Sequence, residues 1–530
     1  MEHSLPKILV AESIAEDAIE ILRSAGQVDI KTGLPPEELK AILGGYDALV
    51  VRSQTKVTAD LLESPGKLRI IGRPGVGVDN IDVAAASSHG IIVVNSPLGN
   101  TVSTAEHSIA MMMSLARHIP AAHAELKGGK WNRSHKGIEL RNKVLGIVGL
   151  GKIGTQVAEM ARGLKMNVVA YDPFVSQELA ERLGVTMVEL DDLLKQADFV
   201  TLHLPLTPNT EKLIDASRLA LMKPTAMLIN CARGKLVDEQ ALYDALEAGT
   251  LAGAAVDVYS AEPAVDNIIV KSDKVVVTPH LAASTIEAER GAGTDVAKQV
   301  RDVLRGLPPA TPVNAPIIPP EHMSLLSPFM DVASKLGQIA SGMMQGQARE
   351  LTIHCQGEIA TVSTEPLKVE ILNALLGTAT EDRISITNVD AVAKGRGLRL
   401  MEEKDPNTDT YASSLTLEVT TTKGTTTVSG TSLHGHAYLT RVDDYTLQIE
   451  PQDVCMLFTE HKDQPGMIGH VGAVMGSNGI NISQMQVSLG AHPGGTAMMA
   501  LCLGSELPDR VHKQVLAIEG MLQATVVMLR

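Results

Sequence analysis

Aromatic side chains are scarce, at 2% of 530 residues, with one Trp and four Phe. Ala, Val, Ile, Leu and Met must fill the interior instead, and a hydrophobic content of 44% allows several sizeable cores. Cysteine is nearly absent too. Cys231, Cys355, Cys455 and Cys502 lack the paired spacing of a zinc or dithiol site, so no metal is expected. So few thiols suit a reducing compartment, with the cytoplasm as the default. Basic charge is in deficit: the formal net charge of −15 would repel a phosphate backbone and excludes broad nucleic-acid binding. No apolar run approaches the ~20 residues that span a bilayer. Nothing before the apolar stretch Lys7–Ala11 has the make-up of a secretory leader or presequence, so a soluble chain without membrane partners is expected.

The length exceeds what one hydrophobic core organises, and three or four units are expected. Over the first hundred residues, apolar runs at 8–11, 48–51, 68–71 and 91–94 alternate with helical stretches, the rhythm of a parallel α/β sheet. Residues 101–117 read as one long buried helix leading into a second unit. There the rhythm restarts, with six strands expected at 144–148, 168–171, 199–203, 226–229, 254–258 and 275–278: a doubly wound nucleotide-binding fold. A helix over 287–304 precedes the proline-rich linker or strap from Leu307 to Pro320. A second α/β region covers 321–450, where the Thr-rich segment 415–429 alternates like an antiparallel pair around Lys423-Gly424. The last 80 or so residues form a third kind of unit.

Within the second unit, Gly149-Leu-Gly151-Lys-Ile-Gly154 follows an apolar strand and opens a helix containing Val157, Ala158 and Met160. A lone pattern of this kind is weak, but its context is what the motif's mechanics require. Gly149 permits a tight turn, Gly151 lets backbone approach a pyrophosphate, and Gly154 lets the helix pack against the strand. The pyrophosphate would lie at the helix N-terminus. Asp172 ends the next strand, where a carboxylate accepts both ribose hydroxyls and repels a 2′-phosphate, favouring NAD over NADP. Alone, Asp172 reads equally well as the cap of a turn before Pro173.

Arg233, Glu262 and His280 each follow a predicted strand end, where an α/β sheet places its site. Singly, they read as a surface cap, a solvated turn and a satisfied buried histidine. Together with Gly75-Val-Gly-Val-Asp79-Asn80, Asn95-Ser-Pro-Leu-Gly-Asn-Thr101, Glu106-His107, Cys231-Ala-Arg-Gly234, Ala255-Val-Asp257-Val and Pro279-His280-Leu-Ala-Ala-Ser284, these residues resemble the D-2-hydroxyacid dehydrogenase family over about 7–315. Pro74 and Lys235 depart from it, standing where relatives often have Ala and a second Gly.

That resemblance implies a Rossmann-type NAD domain over 99–286, inserted in a flavodoxin-like substrate domain made of 4–98 and 287–317, with the site in the cleft between them. It implies a homodimer built through the NAD domains and hinge closure over bound ligands. His280 would be the base, Glu262 its partner, and Arg233 the cation that fixes the substrate carboxylate and carbonyl. Cofactor contacts would come from Val76, Gly149, Gly151, Lys152, Ile153, Gly154, Asp172, His203, Leu204, Cys231, Ala232, Arg233, Asp257, His280, Ala282 and Ala283, with Asp257 at the carboxamide. Extra cations suggest a phosphorylated acid: Arg52 and Arg73 in the substrate domain, with Ser53 and Gly75 beside them, and Arg133, at a position that reaches the partner's site in phosphoglycerate-oxidising relatives.

The C-terminal end sharpens the resemblance. The segment from Phe458 through His461, Asp463, Pro465, Gly466 and Gly469, followed by Gly479-Ile-Asn481-Ile, is similar to an ACT domain, a small βαββαβ amino-acid sensor, here 452–530. His461, Asp463 and Asn481 match residues that bind L-serine between two such domains; Asp463 replaces an Asn of some members. A purely oligomerising domain is the alternative. Residues 318–451 resemble the α/β intervening domain of the family's long-form branch, through Lys394-Gly-Arg396-Gly and Val428-Ser-Gly430-Thr. This layout implies NAD-dependent oxidation of D-3-phosphoglycerate to 3-phosphohydroxypyruvate, the first step of the phosphorylated route to L-serine, by a homodimer or homotetramer. Rival readings are a hydroxypyruvate or glyoxylate reductase, a 2-hydroxyglutarate-type dehydrogenase, and a non-catalytic NAD-sensing scaffold.

Overall fold

A computed structural model describes residues 5–377, 383–408, 410–452, 454–490 and 495–529. The first sheet holds β1 (Lys7–Val10), β2 (Gln27–Ile30), β3 (Ala48–Val50), β4 (Ile70–Arg73) and β5 (Ile92–Asn95), all parallel, in the order β2-β1-β3-β4-β5. That is the flavodoxin-like order. The central strands are uninterrupted apolar runs because helices cover both faces. Edge strand β2, sequence QVDI, is exposed at both ends, and so carries no such run for a sequence reading to find.

The second sheet holds β6 (Val144–Val148), β7 (Asn167–Tyr171), β8 (Thr186–Met187), β9 (Phe199–Leu202), β10 (Met227–Asn230), β11 (Gly253–Val256) and β12 (Val275–Val277). They run parallel in the order β12-β11-β10-β9-β6-β7-β8, so the winding reverses between β6 and β9. Ligands of such sheets bind at that reversal, beyond the carboxyl ends of the strands. The six expected strands are present with a seventh, β8, of only two residues.

Two helices join these sheets. Thr101–Ala116 carries the chain across after β5, and Ile286–Leu304 brings it back, capped by the Thr285 hydroxyl, which accepts the Ala288 amide. The returning helix buries Val296, Val300 and Val303 against Ile8, Val10, Val50 and Ile70 of the first sheet. The proline-rich segment that follows is a strap stitched to β5: the Val313 amide donates to the Val93 carbonyl, and the Asn314 side chain accepts from the Val93 amide and donates to the Ile91 carbonyl.

Past the strap, helix Pro320–Met343 precedes a third sheet of β13 (Ala348–Gly357), β14 (Arg399–Asp405), β15 (Ser413–Thr421), β16 (Thr425–Leu433), β17 (His436–Val442) and β18 (Tyr445–Ile449). β15 and β16 are the antiparallel Thr-rich pair. The fourth sheet, β19 (Cys455–Lys462), β20 (Ile482–Leu489), β21 (Thr496–Leu503) and β22 (Met521–Met528), is antiparallel in the order β20-β21-β19-β22, with helices Met467–Ser477 and Asp509–Leu516 completing a βαββαβ run. Alternation along β19 sends Cys455 and Leu457 under those helices and Met456 and Phe458 to the other face, where they share a core with Val332 and Leu336 of helix Pro320–Met343. Contact with the first sheet is small and polar: Arg383 donates to the Leu68 carbonyl, and Thr387 and Asn388 donate to those of Ser87 and Ser88.

Candidate active site

The glycine fingerprint lies at the end of β6, next to the reversal in strand order. Gly149 has φ +97°, and a Cβ there would come within 2.5 Å of the His203 carbonyl at the end of β9. A Cβ on Gly154 would stand 2.1 Å from the Gly149 carbonyl, so the helix Lys152–Gly163 can close on the turn only with glycine here. At Gly151 a Cβ would meet nothing within 4 Å. Open space therefore lies over a helix N-terminus without a side-chain cap, where Lys152 and Ile153 stand first. Free amides with room before them fit a pyrophosphate.

Asp172 follows β7. One carboxylate oxygen accepts the Leu150 amide at 2.9 Å, tying the fingerprint turn to the neighbouring strand, and the other accepts the Phe174 amide at 2.9 Å. The turn-capping role is thus real, and each oxygen keeps capacity for a further donor. His203 donates to or accepts from Thr201 at 2.9 Å, and burial pushes its imidazolium down to about 4. The ring is neutral near pH 7. Leu204 packs against Gly149. The buried Cys231 thiol is pushed up to about 12, first by burial and then by Asp257, so it is no nucleophile. Beside it, Asn230 accepts the Ala232 amide and donates to the Arg233 carbonyl, fixing the loop after β10.

Arg233 reaches from that loop to the first sheet's side of the cleft. Its Nε donates to Asp79 Oδ2 at 3.2 Å and its Nη1 to the Ala232 carbonyl at 2.8 Å. Nη2 lies so close over Gly77 that a Cβ there would approach it to 2.1 Å. His280 pairs with Glu262 through Nδ1, 2.9 Å from Oε2 and 3.2 Å from Oε1. Both side chains stay open to the cleft, 45% and 39% exposed. The hydrogen bond that His280 gives to Glu262 holds the imidazole above its ordinary value, outweighing burial. Burial alone would raise Glu262, but its bond to His280 and the Tyr259 amide hold it below the usual carboxylate range. His280 itself sits at φ +57°, a left-handed conformation that costs a non-glycine residue roughly 1–2 kcal/mol.

Asp257 secures that conformation. Its carbonyl accepts the His280 amide at 2.8 Å, while its fully buried carboxylate accepts the amides of Leu281 and Ala282 at 2.8 and 2.9 Å. Burial would raise its pKa, but His107, Thr278 and these amides hold it low. Ala283 is half-buried in the same turn.

Three cations gather on the first sheet's side. Arg73 donates from Nε to Asn80 at 2.9 Å and has no ion pair among the described residues. Burial, then the Arg233 charge, lowers its pKa. Gly75, at φ +144°, passes close to the Arg73 guanidinium. Arg52 pairs with Glu289 at 2.8 Å. The Asn80 amide nitrogen donates to the carbonyls of Arg52 and Thr55, both at 2.7 Å, so one side chain sets the loops of both arginines. Glu12 accepts the amides of Arg52, Gln54 and Thr55, leaving Ser53 exposed at the loop tip. Val76 receives the Asn95 side-chain amide on its carbonyl. Asn80 ends the Gly75–Asn80 motif, Asn230 precedes Cys231 and Glu12 follows the first apolar run, but an amide or carboxylate that binds backbone looks in sequence like any polar loop residue.

Other expected residues stand apart. Arg133 is exposed in the loop after helix Ile119–Lys127 and makes no hydrogen bond or ion pair among the described residues. In the fourth sheet, His461 is 3% exposed and pairs in register with Ala497, whereas Asp463 and Asn481 are exposed. Ile482, next to Asn481, pairs with Leu503. Along β21 that puts Asn481 roughly 20 Å from His461 and Asp463, so the three do not converge within one chain.

Residues 109–282 match the family model for the NAD-binding domain of D-isomer specific 2-hydroxyacid dehydrogenases, and residues 325–441 that for the D-3-phosphoglycerate dehydrogenase intervening domain. A D-3-phosphoglycerate dehydrogenase of Synechocystis sp. is 45% identical over 99% of this chain and 95% of its own length. One from Archaeoglobus fulgidus is 42% identical over 98% of this chain and 99% of its own. Among solved structures, the D-lactate dehydrogenase of Aquifex aeolicus, complexed with NAD and lactic acid, superposes with a TM-score of 0.53 at 29% identity, over 58% of this chain and 99% of its own.

Proposed function

The chain belongs to the D-3-phosphoglycerate dehydrogenases of the D-2-hydroxyacid dehydrogenase family, and from that premise we propose how its residues divide the work. The enzyme oxidises D-3-phosphoglycerate with NAD. Bound NAD supplies the acceptor for the hydride leaving C2. Gly149, Gly151 and Gly154, with the amides of Lys152 and Ile153, hold the pyrophosphate, and Asp172 holds the ribose. Val76, His203, Leu204, Cys231, Ala232, Asp257, Ala282 and Ala283 complete the contacts around it.

His280 takes the hydroxyl proton. Because Nδ1 faces the ionised Glu262 it keeps its hydrogen, and Nε2 is left with the lone pair that accepts. Glu262 then stabilises the imidazolium. Arg233, braced by Asp79, turns its remaining donors to the substrate carboxylate and the oxygen that becomes the carbonyl. Arg52, Ser53, Arg73 and Gly75 take the phosphorylated end, Arg52 by exchanging Glu289 for the phosphate; Arg133 reaches the cleft of a second copy. The observation that carries this reading is the His280–Glu262 pair standing open to the same cleft as Arg233.

We further read the product as feeding L-serine synthesis, with L-serine as an effector bridging His461 and Asp463 of one copy and Asn481 of another. Their division between two copies is supported by the distance separating them in one chain. Leu98, Val102, Ile119, Leu126 and Trp131, each more than half exposed around the connector helices, suit a homodimer contact. Among the described residues no helix is long and apolar enough to cross a membrane, and the four buried free cysteines suit the cytoplasm. Nicotinamide absorbance followed with D-3-phosphoglycerate and D-glycerate, with and without L-serine, tests the reading. Strong preference for the phosphorylated acid supports the arginine roles, and equal rates would remove them.

A further inference from the structure

Helix Thr101–Ala116 carries the chain from the first sheet to the second, and its His107 side chain, 21% exposed, points at the base of the catalytic turn. His107 Nε2 lies 3.2 Å from Thr278 Oγ1 and 3.4 Å from Asp257 Oδ1. Thr278 Oγ1 is also 2.6 Å from Asp257 Oδ1 and 3.7 Å from Met111 Sδ. A hydroxyl has one proton to give. The short bond to a carboxylate takes it in preference to a thioether, so Thr278 can only accept from His107, and Nε2 must be the nitrogen bearing hydrogen. The donors therefore run in one direction, from His107 to Thr278 and Asp257.

Asp257 is the anchor that the His280 turn surrounds. Its carbonyl and both carboxylate oxygens bind amides of His280, Leu281 and Ala282, and the carboxylate is fully buried. A buried carboxylate stays ionised only while donors outweigh its desolvation, and His107 stands first among those that do so here.

We propose that His107 is a positioning residue for hydride transfer. Its Nε2–H keeps Asp257 charged and aimed at the amides beyond His280, so the left-handed His280 turn is set from the helix on which the chain crosses the cleft. The inference rests on the reading of His280 as the base. It assigns His107 no contact with substrate or NAD, so its loss changes the rate of the bound complex more than its formation.

His107→Phe keeps a planar ring but removes the donor; His107→Gln returns an N–H of similar reach. Thr278→Val cuts the same link from the other side. Under saturating substrates, His107→Phe and Thr278→Val should each lower kcat roughly ten- to a hundredfold, the scale expected when a reacting group is misplaced by about an ångström, with KM for D-3-phosphoglycerate within about threefold of wild type. His107→Gln should recover most of the loss, which a purely structural role would not grant to a residue of different shape. Wild-type kcat in folded His107→Phe overturns the proposal. So does a His107→Gln enzyme that melts normally yet is as slow as His107→Phe; if His107→Phe fails to fold, Thr278→Val with unchanged kcat has the same force. His280→Ala separates the two readings: if it keeps turnover, the assignment of the base fails, whereas a dead His280→Ala beside a fully active His107→Phe sinks only this inference.

Discussion

The cleft between the first two sheets and the edge of the last sheet handle polar side chains in opposite ways. In the cleft, Arg233 meets Asp79, His280 meets Glu262, and Asn80 joins the loops of Arg52 and Arg73, although these residues come from separate stretches of chain. In the last sheet His461 is buried with Nδ1 unpartnered among the described residues, while Asp463 and Asn481 lie exposed at opposite ends. Their shifts differ in kind as well: the bond to Glu262 raises His280, and burial lowers His461. The acid–base pair and the Arg233 bridge meet within one chain and can be judged from it. His461, Asp463 and Asn481 do not meet within one chain, and under the reading proposed above they need a second copy.

The sharpest way to break this contrast is at Arg233, whose guanidinium joins the two sides of the cleft. Arg233→Ala should lower kcat/KM for D-3-phosphoglycerate roughly a thousandfold, the scale of losing an oriented donor at a reacting oxygen, while NAD still binds in a fluorescence titration. A loss of tenfold or less would mean that this bridge does not orient the substrate.

Next in size is Glu262→Gln, with kcat expected roughly ten- to a hundredfold lower. Its pH profile carries a sign. Glu262 raises the His280 pKa, and alcohol oxidation needs His280 neutral, so activity falls as pH drops through that raised value. Removing the charge should move the acid limb of kcat/KM to lower pH. An unmoved limb would show that the pairing does not govern the titration.

Arg73→Ala should act on binding rather than on rate. KM for D-3-phosphoglycerate should rise roughly ten- to a hundredfold, as for a lost charged hydrogen bond, with KM for D-glycerate less affected. Equal effects on both acids would move Arg73 away from the phosphate. Smallest in catalysis, and aimed at the other side of the comparison, is Asn481→Ala: basal turnover within about twofold, with any response to L-serine weakened about tenfold in a calorimetric titration. An unaltered serine response would remove Asn481 from an effector site.

Much of the fold was legible because burial on both faces writes itself as apolar runs. The central strands around β1, β4, β6 and β9 were found within a residue or two, and the βαββαβ order of the last unit matched. Strand β2 was missed because an edge strand exposes its ends, and β8 because two residues carry no period. The proline-rich segment read as a linker or strap; its stitching to β5 depends on Asn314, whose partners lie more than 220 positions away in sequence. The candidate site was legible where glycines and charged residues follow strand ends. The roles of the residues that hold it in shape were not. Asn80, Glu12 and His107 act through backbone carbonyls, amides and another side chain, which local sequence does not encode.

The chemistry proposed for the cleft turns on His280 carrying the proton. The most direct measurement mixes the His280→Ala enzyme with NAD and D-3-phosphoglycerate and follows reduced nicotinamide by absorbance, after fluorescence has established that NAD binds. A rate at least roughly a hundredfold below wild type across the pH range is expected; a rate within tenfold of wild type would mean that another group takes the proton.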